Sequence, residues 1–353
     1  MPQKVPGRIG YTCAYSPLPL IDAAGLAPYR ILPMGDSPDR AGRLLHDNLC
    51  PHVKRVLDRA LDNDLPELTG VVVMSSCDAM LRLGDAWRRA RPADDIVQLD
   101  LPATADETAV AFFAGELRRL ATVLSRWSGR PVTPSAIADS IERFNAVASR
   151  FMVLARRLAG DGANGTAAGL QELYNQAAMR PLKETLAMLK EAERVPQRES
   201  PDSMGVPILA FGNVLPDPEI FERFATWGAA IVDADFCTGS RQFAPIEMAG
   251  PGDIPTQLAR GLLRRPRCAR TLCPEKPGIM AEEILQRARA CRAQGVIACA
   301  AKFCDPYMTR IPAVKTLLGE AGLPLLQIES DSTLGSLGQQ RTRIEAFIEM
   351  LRS

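Results

Sequence analysis

Three cysteines sit at the starts of expected helices, two of them where a strand hands over to the helix. Ala301-Lys302-Phe303-Cys304-Asp305-Pro306-Tyr307 ends an apolar run with a thiol and opens a helix on the next residue. Val71-Val72-Val73-Met74-Ser75-Ser76-Cys77-Asp78 repeats the arrangement, and Asn48-Leu49-Cys50-Pro51 puts a third thiol at the head of an amphipathic helix. Thiolates bind soft metals, and a helix N-terminus favours anions and lowers a thiol's pKa. Three thiols far apart in the chain but alike in setting point to one inorganic centre. The chain has nine cysteines and only two histidines, His46 and His52. That balance favours reduced thiols and metal or redox chemistry over a disulfide framework, and argues against His-rich zinc, haem or Ser-His-Asp sites.

Cys13 and Cys237 also follow predicted strands, and open parallel sheets bind ligands beyond the carboxyl ends of their strands. Thr238-Gly239-Ser240-Arg241 after Cys237 is a turn able to aim backbone N–H groups at an anion, although a plain strand-end turn accounts for it equally well. Cys268 and Cys273 lie five residues apart in a loop rich in Arg and Pro, which is not the C-x2-C of a zinc knuckle. Cysteine ordinarily serves as a small buried hydrophobe, and Cys299 in an apolar run and Cys291 on a helix fit that role.

The elements that must position these thiols alternate. Strands are expected at residues 8–16, 28–32, 70–74 and 96–99, with helices at 18–24, closed by Gly25, and 51–61. A helix over 106–127 ends at Ser128-Gly129-Arg130-Pro131, and residues 134–196 read as long helices broken at 160–165 with no strand between. Strands resume at 206–211, 229–233, 295–300 and 324–328, with helices near 217–225, 255–264, 281–293, 308–321 and 336–352. The expected fold is α/β: two Rossmann/flavodoxin-like parallel-sheet halves, 1–130 and 201–353, with a helical insertion over 131–200 and the site in the cleft between the halves.

At 353 residues the chain is long enough for two domains of common size. Lys plus Arg total 42 against 41 Asp plus Glu, a net charge of +1 without a basic block, so nucleic acid is not expected as a partner. No apolar run approaches ~18–20 residues and the N-terminus lacks a signal-peptide core, so a cytoplasmic protein without membrane attachment is expected. There is no G-x4-G-K-[ST] loop and no G-x-G-x-x-G after a strand, which argues against ATP or nicotinamide on this chain.

Read with their neighbours, the cysteine segments resemble the 2-hydroxyacyl-CoA dehydratase and benzoyl-CoA reductase family of iron–sulfur proteins. The resemblance rests on Gly10-Tyr11-Thr12-Cys13-Ala14-Tyr15-Ser16-Pro17, Leu49-Cys50-Pro51, Ser76-Cys77-Asp78-Ala79-Met80 and Asp235-Phe236-Cys237-Thr238-Gly239-Ser240-Arg241. It continues through Arg265-Pro266-Arg267-Cys268 and Lys302-Phe303-Cys304-Asp305-Pro306-Tyr307 to residues 338–347. Each piece is weak; the ordered set is specific.

The resemblance implies a [4Fe–4S] cluster held by Cys50, Cys77 and Cys304, with one iron left open to a thioester carbonyl. It also implies low-potential electrons from a separate ATP-hydrolysing iron–sulfur activator, an acyl-CoA substrate for radical dehydration or reduction, and a homologous partner subunit. A branch of the family, the double-cubane cluster proteins, carries one [8Fe–9S] centre and reduces small molecules; Cys13, Cys237 and Cys268 are the candidate additional ligands for it. Ser76 is a candidate donor to sulfide or substrate, and Glu329 a candidate proton carrier. Arg341 and Arg343 are candidates for a CoA phosphate or the activator, with helix-surface ion pairing the plain alternative. Two rival readings are an electron-relay subunit without turnover of its own and a zinc site built from the same thiols.

Overall fold

The computed structural model describes residues 6–33, 40–159, 165–194, 205–331, 333, 335 and 338–353. The chain opens with β1 (Arg8–Tyr11), α1 (Leu18–Ala23), β2 (Ala27–Arg30), α2 (Pro51–Leu61), β3 (Gly70–Ser75), α3 (Asp78–Ala90) and β4 (Ile96–Asp100). These four strands form a parallel sheet in the order β2-β1-β3-β4. Helices on both faces explain why β3, Gly-Val-Val-Val-Met-Ser, is apolar on both sides and buried up to its last residue. Gly25 ends α1 at φ +70°, the left-handed conformation that closes a helix, and its N–H donates to the Asp22 carbonyl at 2.8 Å.

The second sheet has the same design. β5 (Val206–Gly212), β6 (Ala229–Asp235), β7 (Gly295–Ala301) and β8 (Leu325–Ser330) run parallel in the order β6-β5-β7-β8. Between the sheets in sequence lie α4 (Glu107–Ser128), α5 (Pro134–Ala159), α6 (Ala167–Ala178) and α7 (Leu182–Arg194). The second half adds α8 (Pro218–Thr226), α9 (Ile254–Leu263), α10 (Ile279–Ala290), α11 (Asp305–Glu320) and α12 (Arg341–Arg352). The two parallel sheets and their flanking helices are the α/β architecture expected from the alternation of strands and helices.

Several boundaries move. The strand expected at 28–32 is Ala27–Arg30, and the first strand stops at Tyr11, five residues short of its expected end. Most of the helix break expected at 160–165 lies outside the described residues, as do residues 336 and 337 of the last expected helix, which is helical from Arg341. A second break separates α6 from α7 around Pro181, a stop signal the long helical pattern concealed. One core cluster joins Ile9, Val72 and Leu99 of the first sheet to Phe113, Phe144 and Phe151 of α4 and α5, and to Leu258 and Leu262 of α9. Arg260 of α9 fixes that contact through an ion pair to Glu107 at 2.7 Å.

Candidate metal centre

Six thiols line one cavity of about 560 Å³: Cys13, Cys50, Cys77, Cys237, Cys268 and Cys304. Cys50, Cys77 and Cys304 are the N-caps of α2, α3 and α11. Pro51 and Pro306 start two of these helices where a missing N–H is harmless, so the chain turns at the cysteine and presents it at the helix mouth. Cys13 and Cys237 follow β1 and β6 by two residues each, and Cys268 comes from the loop between α9 and α10.

Burial sets the state of the cap thiols. N–H groups of His52 and Val53 face Cys50, those of Met80 and Ala79 face Cys77, and that of Tyr307 faces Cys304; each stabilises a thiolate. Desolvation outweighs them, pushing Cys50 up to about 12 and Cys77 up to about 11, and raising Cys304 as well. The expectation that these helix starts would lower the thiol pKa is therefore corrected: the local contribution has the expected sign but is the smaller one. A metal must displace the proton to bind, and metal binding is then coupled to proton release.

Buried cations surround Cys237 and Cys268. A hydrogen bond from Cys268, helped by Arg241 and Arg30, brings Cys237 down to about 6, and Cys268 is driven well above its ordinary value by the same contact. Arg241 donates to the Tyr307 hydroxyl and the Gly212 carbonyl and pairs with Asp235 at 3.2 Å. Arg265 donates to the carbonyls of Arg241, at 2.7 Å, and Gln242. Asn213, just past β5, ties three elements together. Its carbonyl accepts from Cys237 N–H at 2.7 Å, its Oδ1 accepts from Ala301 N–H at 3.2 Å, and its side-chain amide donates to the Cys304 sulfur.

Among the described residues, no three His, Cys, Asp or Glu side chains gather tightly enough to hold a single metal ion. The thiols instead surround a space shared by several elements, the arrangement suited to a multi-atom cluster in which separate irons each take one thiolate. A soft, all-sulfur donor set with buried cations behind it fits such a centre.

A family model described as "2-hydroxyglutaryl-CoA dehydratase, D-component" matches residues 13–351. The chain belongs to that family. It is 24% identical to the (R)-phenyllactyl-CoA dehydratase beta subunit of Clostridium sporogenes, covering 99% of this chain and 93% of the relative. It is 25% identical to the lactoyl-CoA dehydratase subunit beta of Anaerotignum propionicum (98% and 92%), and 22% identical to a benzoyl-CoA reductase subunit of Thauera aromatica (98% and 90%). The resemblance read from the ordered cysteine segments is borne out over nearly the whole chain.

Within this 2-hydroxyglutaryl-CoA dehydratase D-component family member, the predicted residues divide clearly. Cys50, Cys77 and Cys304 share a cavity with Cys13, Cys237, Cys268 and Ser76, whose hydroxyl hydrogen-bonds to Cys13. Glu329, on β8, is not among the cavity-lining residues. Cys273 instead contacts Glu275 at 3.6 Å, Cys291 donates to the Ala288 carbonyl and Cys299 is packed in the core of the second sheet. Arg341 makes a helix-surface ion pair with Glu345 at 2.7 Å, whereas Arg343 donates to the neutral Gln340 side chain and the Gln327 carbonyl. Sequence reasoning missed Arg30 and Asn213. Asn213 follows the strand expected at 206–211, and that position was the available signal for it; Arg30 ends β2 but fell inside the strand expected at 28–32, so nothing marked it.

Proposed function

We propose that this chain is an iron–sulfur redox enzyme of the dehydratase and reductase type, supplied with low-potential electrons by a separate ATP-hydrolysing activator. The observation that carries this reading is the convergence of six thiols from six separate segments on one cavity. It favours the [8Fe–9S] double-cubane reading, with reduction of a small molecule, because a single [4Fe–4S] held by Cys50, Cys77 and Cys304 leaves Cys13, Cys237 and Cys268 without a task. The second reading, a single cubane acting on an acyl-CoA thioester beside a homologous subunit, is supported by the names of the relatives, two of which are beta subunits of acyl-CoA dehydratases.

When bound, such a centre supplies single low-potential electrons to a substrate. The protein's own part is to hold and charge-balance it. Leu49, Val53 and Met80 line the cavity with apolar surface, which strengthens charge interactions beside them. The domain reading that accompanies this proposal is 1–130 and 201–353 as the sheet domains and 131–200 as the insertion. No helix among the described residues is long and apolar enough to cross a membrane, and a cytoplasmic location is proposed with the redox chemistry.

The test is iron and sulfide content per chain after anaerobic reconstitution. About eight irons overturns the single cubane, and about four overturns the double. Colourless protein holding zinc overturns both. Turnover by this chain alone, given activator and ATP, would rule out the electron-relay alternative.

A further inference from the structure

One buried cation that lines the cavity has no carboxylate partner among the described residues. Arg30 closes β2, is 1% exposed and lines the cavity with the six thiols. It donates to the Cys237 carbonyl and to the side-chain carbonyl of Gln242, both neutral acceptors. Its Nε has no hydrogen-bond partner. Arg241 has Asp235 and Arg260 has Glu107, whereas Arg30 makes no ion pair among the described residues. The other titratable groups that feel its charge are Tyr11, Cys13, Cys237 and His52; none of them is a carboxylate, and the one that can face it as an anion, Cys237, is itself a thiol of the cavity. Arg265, beside it, adds a second guanidinium without a carboxylate among the described residues.

A buried guanidinium without a counter-ion is strongly unfavourable, and an unsatisfied N–H adds to the cost. Such a group persists where something in the working protein offsets it. The space it faces is walled by sulfur, and thiolate ligation makes an iron–sulfur centre anionic; each electron added makes it more so.

We infer that Arg30 is the fixed counter-charge of the anionic centre in this cavity, governing both the stability gained on loading and the reduction potential. The inference rests on the cluster reading above. Reduction adds one electron from the external donor with no bond formed or broken, and a positive charge at Arg30 favours the reduced form. The same side chain reaches the Cys237 carbonyl in the second half from its place on β2 in the first.

The test compares the parent with Arg30→Gln, Arg30→Met and Arg30→Lys, prepared anaerobically with and without iron. Thermal unfolding, iron per chain and a redox titration followed by electron paramagnetic resonance are the readouts. Arg30→Gln and Arg30→Met should melt no lower than the parent without iron, and gain less on loading. At a fixed potential their oxidised-to-reduced ratio should rise about tenfold, equivalent to a midpoint about 59 mV lower for a one-electron couple. Arg30→Lys, which keeps the charge, should stay within about threefold of the parent; it decides the matter if the neutral variants do not fold, since a tenfold rise there overturns the inference. Neutral variants that titrate with the parent, or that lose equal stability with and without iron, reduce Arg30 to a structural support of Cys237. A parent that folds but takes up no iron removes the cluster reading itself.

Discussion

Asn213 offers the sharpest separation between holding the site and tuning it. It is 8% exposed and joins the end of β5 to Cys237 through its carbonyl, to the end of β7 through Oδ1 and Ala301 N–H at 3.2 Å, and to Cys304 through its amide. Asn213→Leu conserves shape but strands the buried Ala301 N–H, a loss of about 1–3 kcal/mol, and removes the donor to the Cys304 sulfur. Asn213→Asp keeps the acceptor for Ala301 N–H, loses the donor, and sets a carboxyl group beside Cys304, which burial in the iron-free protein favours in its neutral form. Denaturant unfolding of the reduced, iron-free protein should show the larger loss for Asn213→Leu. After reconstitution, Asn213→Asp should hold iron with a lowered midpoint potential, because hydrogen bonds to cluster sulfur raise it and nearby negative charge depresses it. If Asn213→Leu unfolds within about 0.5 kcal/mol of the parent and retains all its iron, the bridging role drawn from these contacts is wrong.

Alanine at Cys50, Cys77 or Cys304 should abolish cluster binding, measured as iron per chain, while Cys299→Ala leaves iron unchanged; equal retention in all four variants would refute the assignment. Gly212→Ala drives a Cβ into the Cys299 carbonyl oxygen and sets it 2.9 Å from the Phe236 ring, so β5 and β7 must separate. A loss of about 1–3 kcal/mol or more is expected in thermal unfolding, and an unshifted melting temperature would contradict the close approach of these strands. Phe303 sits at φ +57° and is 47% exposed at the cavity mouth. Replacing it with Gly relieves a left-handed conformation that costs about 1–2 kcal/mol and should leave stability equal or slightly raised; a loss above about 1 kcal/mol would show that the ring packs against something in solution. Hydrogen bonding to Arg260 holds Glu107 below the ordinary glutamate range, so the stability this pair contributes is present above the unfolded-state pKa and is lost as pH falls through the lowered value. Glu107→Gln should therefore unfold more easily than the parent at neutral pH, and the difference should close as pH falls through the lowered value, followed by denaturant unfolding across the acid range.

How much of the site the sequence disclosed depended on how local each cause was. The caps at Cys77 and Cys304 were legible because an apolar run leads within a few residues to a cysteine and a helix start, and Cys50 because Pro51 opens an amphipathic helix directly after it. Cys13 and Cys237 followed from the rule that parallel strands deliver ligands at their carboxyl ends. Cys268 was less visible, since nothing in Arg265-Pro266-Arg267-Cys268 tells that its loop crosses to Cys237, whereas Cys273, five residues on, stays outside the cavity lining. Thiol ionisation could not be read at all: helix-end N–H groups are local, but the desolvation that overrides them comes from the whole surrounding cavity.

Arg30 shows the same division from the other side. In the sequence it is a basic residue inside the strand expected at 28–32, where nothing marks it as facing a site. Only the arrival of Cys237 and Gln242 from the second half, more than 200 residues on, turns it into a buried cation facing sulfur. The charge that a metal centre would require is thus assembled by the packing of one half on the other. A variant that loosens that packing without touching a cysteine should lower the affinity for iron as surely as the loss of a ligand.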